Sequence, residues 1–348
     1  MSIQIEKYRQ KRAHKDIIVG LRYSPTGRFL VSADRSGEII VWPQGDPRGA
    51  QLVCSPYAPL TGVWFSEDEK WLLAGYQGGH LLVYGFPKIK LEAEVRLKPD
   101  RPEGYILSGT SRPVLNWVVL AVCPSNDSNI YAVLEFRDFF TIQRETLQVT
   151  NYVHRPGPLL ECTAAPLNGR FVFFGDDLGY IYRLQLPGMK LEPYAEHHEQ
   201  VPAFDLAMRP TTKDAPTGIA GLALSCDGKL LASTSRTGGV QIWQTEVSCS
   251  TFQLQPFAAR EPVRTDWLRG VCFLPNSTTL ALGADEGTVE VWDYQSKQGT
   301  HVAKCPASVR SLDVSPNGSQ LAIGCEDGSI FLIPWNESYH QKASEKAL

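Results

Sequence analysis

The residues of this chain that could most readily bind a metal ion stand side by side in the run Glu196-His197-His198-Glu199. Carboxylates and imidazoles are common ligands of divalent metals. In an extended segment, however, alternate side chains point to opposite sides, so at most two of the four could reach one ion. We interpret the run as a solvated polar turn, and the sequence predicts no metal site, no cofactor and no catalytic residue.

Other sequence motifs also indicate no catalytic or cofactor-binding site. The chain has no G-x-S-x-G, no H-E-x-x-H, no P-loop and no G-x-G-x-x-G that opens a helix. Its eight cysteines include no C-x-x-C pair, and we interpret them as buried, reduced thiols. They are Cys54, Cys123, Cys162, Cys226, Cys249, Cys272, Cys305 and Cys325.

The densest basic stretch lies near the N-terminus. It comprises Lys7, Arg9, Lys11, Arg12, His14 and Lys15. Contact with phosphates is one interpretation of this stretch, and the alternative is that the charges discourage edge-to-edge pairing of a strand. Because 34 basic side chains stand against 37 acidic ones, a net charge of −3, we expect nucleic acid to be an unlikely partner.

The sequence also predicts the cellular location of the protein. No run of about 18 apolar residues occurs, and the first fifteen residues are polar and charged. We therefore expect no signal peptide, no membrane span and a cytoplasmic protein.

An internal repeat predicts the strands and turns that position these residues. Three segments are nearly alike: GLRYSPTGRFLVSADRSGEIIVW (20–42), GLALSCDGKLLASTSRTGGVQIW (221–243) and GVCFLPNSTTLALGADEGTVEVWD (270–293). Each contains three apolar strands separated by turn residues, and four further segments, beginning at 62, 118, 161 and 310, fit the same template. The turns before the third strands are spaced by 42, 59, 41, 59, 49 and 41 residues, which indicates seven repeats of about 41 residues with insertions. These turns are placed at Gly37, Gly79, Asp138, Gly179, Gly238, Gly287 and Gly328.

A weaker fourth apolar run follows the third strand in six of the repeats, and short polar strands of this kind are typical of a sheet edge. These runs cover residues 51–54, 91–97, 148–153, 190–194, 251–257 and 300–305. The seventh repeat lacks one, and we expect residues 2–8 to supply it and close the ring. The sequence thus predicts one domain over 1–335, with repeats near 14–56, 59–97, 114–154, 158–195, 219–257, 268–306 and 308–335 plus 2–9, and a polar tail over 336–348.

The repeat resembles that of the WD40 family over essentially the whole chain. The tryptophan that ends the family's third strand is matched by Trp42, Trp243 and Trp292, and the aspartate after it by Asp293. His14 partly matches the family's Gly-His pair. Several positions depart from the pattern, so the family's Asp-His-Ser/Thr-Trp hydrogen-bond network is expected to be incomplete in every repeat. The resemblance implies an all-β, seven-bladed WD40-type propeller.

The resemblance also implies where partners bind. Insertions over 98–113, 196–218 and 258–269 join one repeat to the next, and in such propellers these connections share a face with the glycine turns. Aromatic and arginine side chains are enriched at interface hot spots. The candidate partner-binding residues are Tyr105, Arg112, Phe204, Arg209, Trp267 and Arg269, with Met208 beside them.

We therefore expect a non-catalytic scaffold, or a subunit of a multiprotein assembly, that binds proteins of unidentified kind. Two alternatives remain open at this point. One is a propeller hydrolase or lactonase with a site on the axis, and the other is phosphate or nucleic-acid binding by the basic N-terminal stretch. The oligomeric state is not predicted.

Overall fold

A computed structural model of the chain describes residues 5–10, 14–44, 49–99, 118–124, 129–155, 157, 159–165, 170–197, 218–247, 258–260, 267–275 and 277–335. In this part of the chain the strands form seven antiparallel sheets, which we call blades 1 to 7. Six blades have four strands and blade 7 has three, and spatial order follows chain order within each blade. The fold is therefore the predicted all-β seven-bladed propeller.

The strands have the following bounds. Blade 1 consists of β1 (Ile18–Tyr23), β2 (Phe29–Asp34), β3 (Glu38–Pro43) and β4 (Gln51–Cys54), and blade 2 of β5 (Leu60–Phe65), β6 (Trp71–Tyr76), β7 (His80–Gly85) and β8 (Lys90–Arg96). Blade 3 consists of β9 (Val119–Pro124), β10 (Asn129–Leu134), β11 (Asp138–Gln143) and β12 (Val149–His154), and blade 4 of β13 (Leu160–Ala164), β14 (Phe171–Asp176), β15 (Tyr180–Gln185) and β16 (Lys190–Glu196). Blade 5 consists of β17 (Ile219–Leu224), β18 (Leu230–Ser235), β19 (Val240–Gln244) and β20 (Ala258–Arg260), and blade 6 of β21 (Leu268–Phe273), β22 (Thr279–Ala284), β23 (Thr288–Asp293) and β24 (Gln298–Lys304). Blade 7 consists of β25 (Val309–Val314), β26 (Gln320–Cys325) and β27 (Ile330–Pro334).

The first strands of successive blades contact one another in a closed cycle, in which β25 also contacts β1. The hydrophobic core lies between blades rather than inside them. At the seam between blades 7 and 1, for example, Ala322 and Ile330 pack with Ile18 and Leu30. Because neighbouring blades cover both faces of each sheet, central strands such as β2 are buried along nearly their whole length, whereas the outer strand β4 is largely exposed.

Glycines at the turns before the third strands permit tight connections. At Gly37, φ is +96° and an added Cβ would lie 2.7 Å from the Tyr57 carbonyl oxygen, so a larger residue would be strained there. Blade 3 differs from the prediction, because the residue with positive φ is Arg137 (φ 60°) and Asp138 already belongs to β11.

The predicted closing strand over residues 2–8 is wrong in its described part. Ile5–Tyr8 form a 3-10 helix, and Tyr8 packs against the core between blades 6 and 7. Contact with β27 occurs slightly later, where Arg9 forms an antiparallel bridge with Phe331. Two alternating isoleucines are too short a pattern to fix the register of a strand.

The insertion predicted over 258–269 is wrong at its start, because Ala258–Arg260 form the described outer strand of blade 5. Three residues are too few to show a periodic pattern in the sequence. The fourth run predicted over 251–257 lies outside the described part of the chain.

Within the described ranges, no helix is long and apolar enough to cross a lipid bilayer.

Candidate partner-binding site

The backbone repeats one arrangement at the start of every first strand. In each blade the register between the first two strands shifts at the second residue of the first strand, which leaves that residue as a bulge. The residue that follows the second strand donates its N–H to a carbonyl just before the first strand, as Asp285 does to Trp267 at 3.0 Å. Because the first strands form the innermost ring, both positions lie around one mouth of the propeller axis.

We call the side chains at these positions the mouth ring. The bulge residues, from blade 1 to blade 7, are Val19, Thr61, Leu120, Glu161, Ala220, Arg269 and Arg310. The residues after the second strands are Arg35, Gln77, Glu135, Asp177, Arg236, Asp285 and Glu326.

A continuous chain of contacts, which we call the charge ladder, crosses the mouth ring from blade 4 to blade 7. It begins with an ion pair between Glu161 and Arg236, and the Arg236 guanidinium lies over the Trp267 ring at 4.7 Å from the ring centroid. Arg269 also contacts this ring, at 4.1 Å from the centroid. Two guanidinium groups therefore contact one indole that remains partly exposed.

The charge ladder continues through Asp285, which binds two arginines. Arg269 Nε lies 3.0 Å from Asp285 Oδ1, and Arg310 Nη1 lies 3.8 Å from the same oxygen. Arg310 Nη2 then reaches Glu326 Oε1 at 2.8 Å, and hydrogen bonds from Arg310 and Ser308 hold the pKa of Glu326 below its usual value. These pairings fix long side chains that would otherwise be mobile, so this part of the face is rigid before a partner arrives.

At the mouth ring, blades 3 and 4 contribute three carboxylates, Glu135, Glu161 and Asp177, which we call the acidic arc. Burial, and then the charge of Glu161, raise the pKa of Glu135 to about 7. Burial and Glu161 also raise the pKa of Asp177, whose Oδ1 atom is buried without a hydrogen-bond partner. Leu178, beside it, is 43% exposed. Two carboxylates of the acidic arc, Glu135 and Asp177, are therefore poorly neutralised, and an accessible apolar side chain lies beside Asp177.

The structure brings together two of the predicted binding residues, Trp267 and Arg269, which are direct neighbours in the charge ladder. The other four, Tyr105, Arg112, Phe204 and Arg209, lie outside the described residues, as does Met208. The remaining ladder residues were not predicted from the sequence. Aligning the repeats position by position would have found them, since they recur at the bulge and directly after the second strand.

All four members of the family-type network, an aspartate, a histidine, a serine and a tryptophan, come together in blade 1, which corrects the expectation that the network is incomplete in every blade. Trp42 Nε1 donates to Ser32 Oγ at 2.8 Å, Ser32 Oγ lies 2.7 Å from His14 Nε2, and His14 Nδ1 lies 3.3 Å from Asp34 Oδ2. Although burial opposes ionisation of Asp34, hydrogen bonds from His14, from the Ser36 hydroxyl and from the Glu38 N–H lower its pKa to about 2. The expectation failed because the aspartate comes from the end of β2 rather than from the turn.

The blade 1 network also includes the only cluster in the described residues with the spacing of a metal site. Ligand atoms of His14, Asp34 and Glu38 lie within 4.8 Å of one another. If the Ser32 hydroxyl donates to Nε2 of His14, Nδ1 carries the proton and faces Asp34, so neither ring nitrogen has a lone pair for an ion. Glu38 is in turn paired with Lys15 at 3.1 Å. One hydrogen bond and two ion-pair contacts therefore engage the side chains of this cluster.

His197 corrects the interpretation of the run 196–199 as a solvated turn. Its side chain is fully buried, with Nδ1 2.7 Å from Ser233 Oγ, which also accepts a hydrogen bond from Trp243 Nε1 at 2.9 Å. His198 and Glu199 lie outside the described residues. His197 thus takes in blade 5 the place of His14 in blade 1, and it had been missed because histidines in a polar run look exposed.

Three side chains of the basic N-terminal stretch, those of Arg9, His14 and Lys15, contact carboxylates. Arg9 contacts Asp327 at 3.7 Å and Glu6 at 3.5 Å, His14 is buried, and Lys15 pairs with Glu38. Residues 11–13 lie outside the described part of the chain. The pairing of these groups leaves less positive charge for phosphate binding than the sequence suggests.

Comparison with known proteins identifies the repeat. The family model described as "WD domain, G-beta repeat" matches residues 6–43, 210–244, 260–293 and 298–333. "Target of rapamycin complex subunit wat1" from Schizosaccharomyces pombe is 27% identical over 128 residues, which cover 36% of this chain and 38% of that protein. "Protein LST8 homolog" from Drosophila melanogaster is 26% identical over 120 residues, which cover 34% of this chain and 36% of that protein. The chain thus spans less than two fifths of the length of these relatives.

A human relative, "U3 small nucleolar RNA-associated protein 4 homolog", is 29% identical over 119 residues, covering 34% of this chain and 16% of that protein. Among solved structures, "Crystal structure of RRP9 WD40 repeats" superposes with a TM-score of 0.71 at 15% identity, covering 93% of this chain and 96% of the other. "Structure of U3-55K" gives 0.70 at 15% identity, covering 93% and 97%. These superpositions establish the fold of nearly the whole chain.

Proposed function

Since the chain is a WD40-repeat β-propeller, we propose that it is a non-catalytic scaffold that binds one or more partner proteins through the mouth ring. The observation that carries this proposal is Trp267, a partly exposed indole whose ring is contacted by the guanidinium groups of both Arg236 and Arg269. Tryptophan and arginine are the side chains most enriched among interface hot spots, and these are already ordered by the charge ladder.

The acidic arc supports binding on the same face. Glu135 and Asp177 have raised pKa values because burial and Glu161 disfavour their charged forms. A partner that supplied donors or cations here would relieve that cost, and its apolar groups could cover Leu178. Such complementarity favours a protein partner over nucleic acid, whose phosphates the acidic arc would repel.

The names of relatives agree with an assembly role. One relative is named as a subunit of the target of rapamycin complex and another as associated with a small nucleolar RNA. We extend to this chain only the general feature, membership of a multiprotein assembly. The contacts of the mouth ring, rather than the shared fold, support the proposal.

The proposal has three further parts. Residues 1–335 act as one propeller unit with 336–348 as a tail, the chain has no enzymatic activity, and it resides in the cytoplasm. The pairing within the charge ladder supports the absence of catalysis, because its acids and bases neutralise one another rather than surround a free nucleophile. Imaging of the tagged protein tests location, and a nucleolar signal would contradict that part.

The test is affinity capture of the tagged full chain from its native cells, followed by mass spectrometry. We compare wild type with Trp267→Ala and with Lys229→Ala, a matched control on the turn between β17 and β18, at the other end of blade 5, where the side chain is exposed. We expect partners retained by wild type and Lys229→Ala and lost from folded Trp267→Ala. An identical partner set for all three, or no partner for any, would contradict the proposal.

Hydrogen exchange on the purified complex then locates the contact. We expect protection of the turns at 235–239 and 285–287 and unchanged exchange at 225–229. Protection confined to 225–229 would place the partner at the opposite end of the blades.

A further inference from the structure

Two cysteines occupy in blade 7 the places that His14 and Asp34 hold in blade 1. The first equivalence is shown by the backbone before the first strand. The His14 N–H donates to the carbonyl of Gly328, the turn glycine of the preceding blade, at 3.1 Å, and the Cys305 N–H donates to the corresponding Gly287 carbonyl at 2.8 Å. Each of the two residues also stands four positions before its first strand begins.

The second equivalence is shown by strand register. Asp34, at the end of β2, pairs with Ile18 at the start of β1, and Cys325, at the end of β26, pairs with Val309 at the start of β25. In blade 1 this arrangement brings the His14 and Asp34 side chains within 3.3 Å of each other. The same backbone arrangement in blade 7 therefore brings two thiols together.

The side chains agree with this placement. Cys305 is 3% exposed and Cys325 is fully buried, and both belong to the core cluster between blades 6 and 7. The two thiols share a hydrogen bond, which, together with burial, raises the pKa of Cys305. Elsewhere in the fold the same place holds a polar network, so blade 7 has replaced that network with a pair of adjacent thiols.

We propose that Cys305 and Cys325 are a modification site, at which a low-molecular-weight disulfide such as oxidised glutathione converts the two thiols into an intramolecular disulfide bond. One protein thiolate attacks a glutathione sulfur and releases one glutathione thiol. The second protein thiolate then attacks the mixed disulfide and releases the other. The protein thus loses two electrons and two protons, and one glutathione disulfide becomes two glutathione thiols.

Burial sets the rate of this exchange, because a protonated, inaccessible thiol is a poor nucleophile. The reaction requires local opening of blade 7. In the described residues this blade is a three-stranded sheet, and its last strand meets the N-terminal segment through the bridge between Arg9 and Phe331 and one hydrogen bond from the Gln10 N–H to the Ile330 carbonyl. An edge with so few hydrogen bonds opens more readily than a four-stranded blade.

The test uses the purified full chain incubated with oxidised glutathione, first in buffer and then at a urea concentration just below the unfolding transition. Trypsin cleaves after Lys304 and Arg310, so the two cysteines fall in different peptides, 305–310 and 311–342. We expect the disulfide-linked pair of these peptides to be the most abundant intramolecular link in a non-reducing digest, to form faster in the urea sample, and to disappear on reduction.

Variants separate this site from general thiol reactivity. Cys305→Ser and Cys325→Ser should each abolish the linked pair, whereas Cys54→Ser, at an exposed cysteine of β4, should leave its yield unchanged. The oxidised protein should also melt at a higher temperature than the reduced protein, and Cys305→Ser should show no such difference. Absence of the linked peptides in both conditions, or a yield no greater than that of other cysteine pairs, would overturn the proposal.

Discussion

Arg137 in blade 3 donates a hydrogen bond from Nη2 to Oδ2 of Asp176 in blade 4 at 3.1 Å, and the two side chains are only 4% and 0% exposed. The same guanidinium lies 4.1 Å from the centroid of the Tyr182 ring. Asp176 pairs in register with the start of β13, as Asp34 does with the start of β1. In blade 4, therefore, the aspartate at the end of the second strand pairs with an arginine from the neighbouring blade. The equivalent aspartate of blade 1 pairs with a histidine.

Arg137→Met should destabilise the protein by about 3–5 kcal/mol, because it leaves the buried Asp176 carboxylate without its cation. Urea unfolding at neutral pH measures the loss. The matched double variant, Arg137→Met with Asp176→Asn, should recover much of it, since neither charge is then buried and the amide oxygen can still accept from the Leu178 and Tyr180 N–H groups. A double variant as unstable as the single one would show that packing, rather than the ion pair, holds these blades together.

Glu135→Gln should stabilise the protein above pH 7 but not near pH 4.5. The folded state keeps the Glu135 proton up to its raised pKa of about 7, whereas the unfolded chain loses it near 4.5, so wild-type stability attributable to this group falls as pH rises between these values. Glutamine cannot ionise and avoids this loss. The gain should reach about 1–3 kcal/mol at pH 8, measured as the difference in the free energy of unfolding from wild type.

Subtracting the free energy of unfolding of wild type from that of the variant at each pH removes the contribution of other titrating groups. Glu67→Gln, in the exposed turn between β5 and β6, is the control, and its difference from wild type should stay small at every pH. A Glu135→Gln difference that is independent of pH would contradict the raised pKa.

Ser32→Ala should cost about 1–3 kcal/mol, because it leaves the Trp42 indole N–H and the His14 ring without their shared partner. Ser233→Ala removes the equivalent hydroxyl between Trp243 and His197 and should cost a similar amount. Chemical unfolding measures both. Ser319→Ala, near the exposed turn between β25 and β26, serves as control, and the inference about these networks is wrong if it is equally destabilising.

Deletion of residues 1–10 should lower the thermal midpoint. It removes the Arg9 bridge to Phe331, the packing of Tyr8 and the hydrogen bond from the Gln10 N–H to the Ile330 carbonyl, and so leaves β27 as an open sheet edge. Deletion of residues 344–348 should change the midpoint little. Equal midpoints for the two truncations would show that the N-terminal segment does not stabilise blade 7.

The sequence predicted the fold well because a repeat records the same physical requirements many times. Alternation of apolar residues and turn glycines located the blades, even where a tryptophan was replaced. Single positions were harder. Arg137 has the positive φ that the repeat pattern places at position 138, and Asp34 at the end of β2 replaces the aspartate that the family has in the turn. Only the folded backbone shows these two shifts.

The candidate site was only partly predictable. Trp267 and Arg269 could be chosen by residue type, but the partners of Arg236 and Arg310 come from neighbouring blades, and contacts across such distances in the chain are set by the closed ring. His197 was misread because its hydrophilic neighbours in the sequence gave no sign that its ring is buried against Ser233.

The bulges at the start of every first strand allow side chains at the mouth ring to change without a change in strand pairing. A bulge residue is skipped by the strand register, so exchanging its side chain leaves the Cα pairing of its neighbours intact, as between Ile18 and Gly20 in blade 1. Evolution could therefore revise the recognition surface of this protein one blade at a time, at those bulges whose side chains do not pack on the core, as Val19 and Leu120 do, or bond to backbone carbonyls, as Thr61 does.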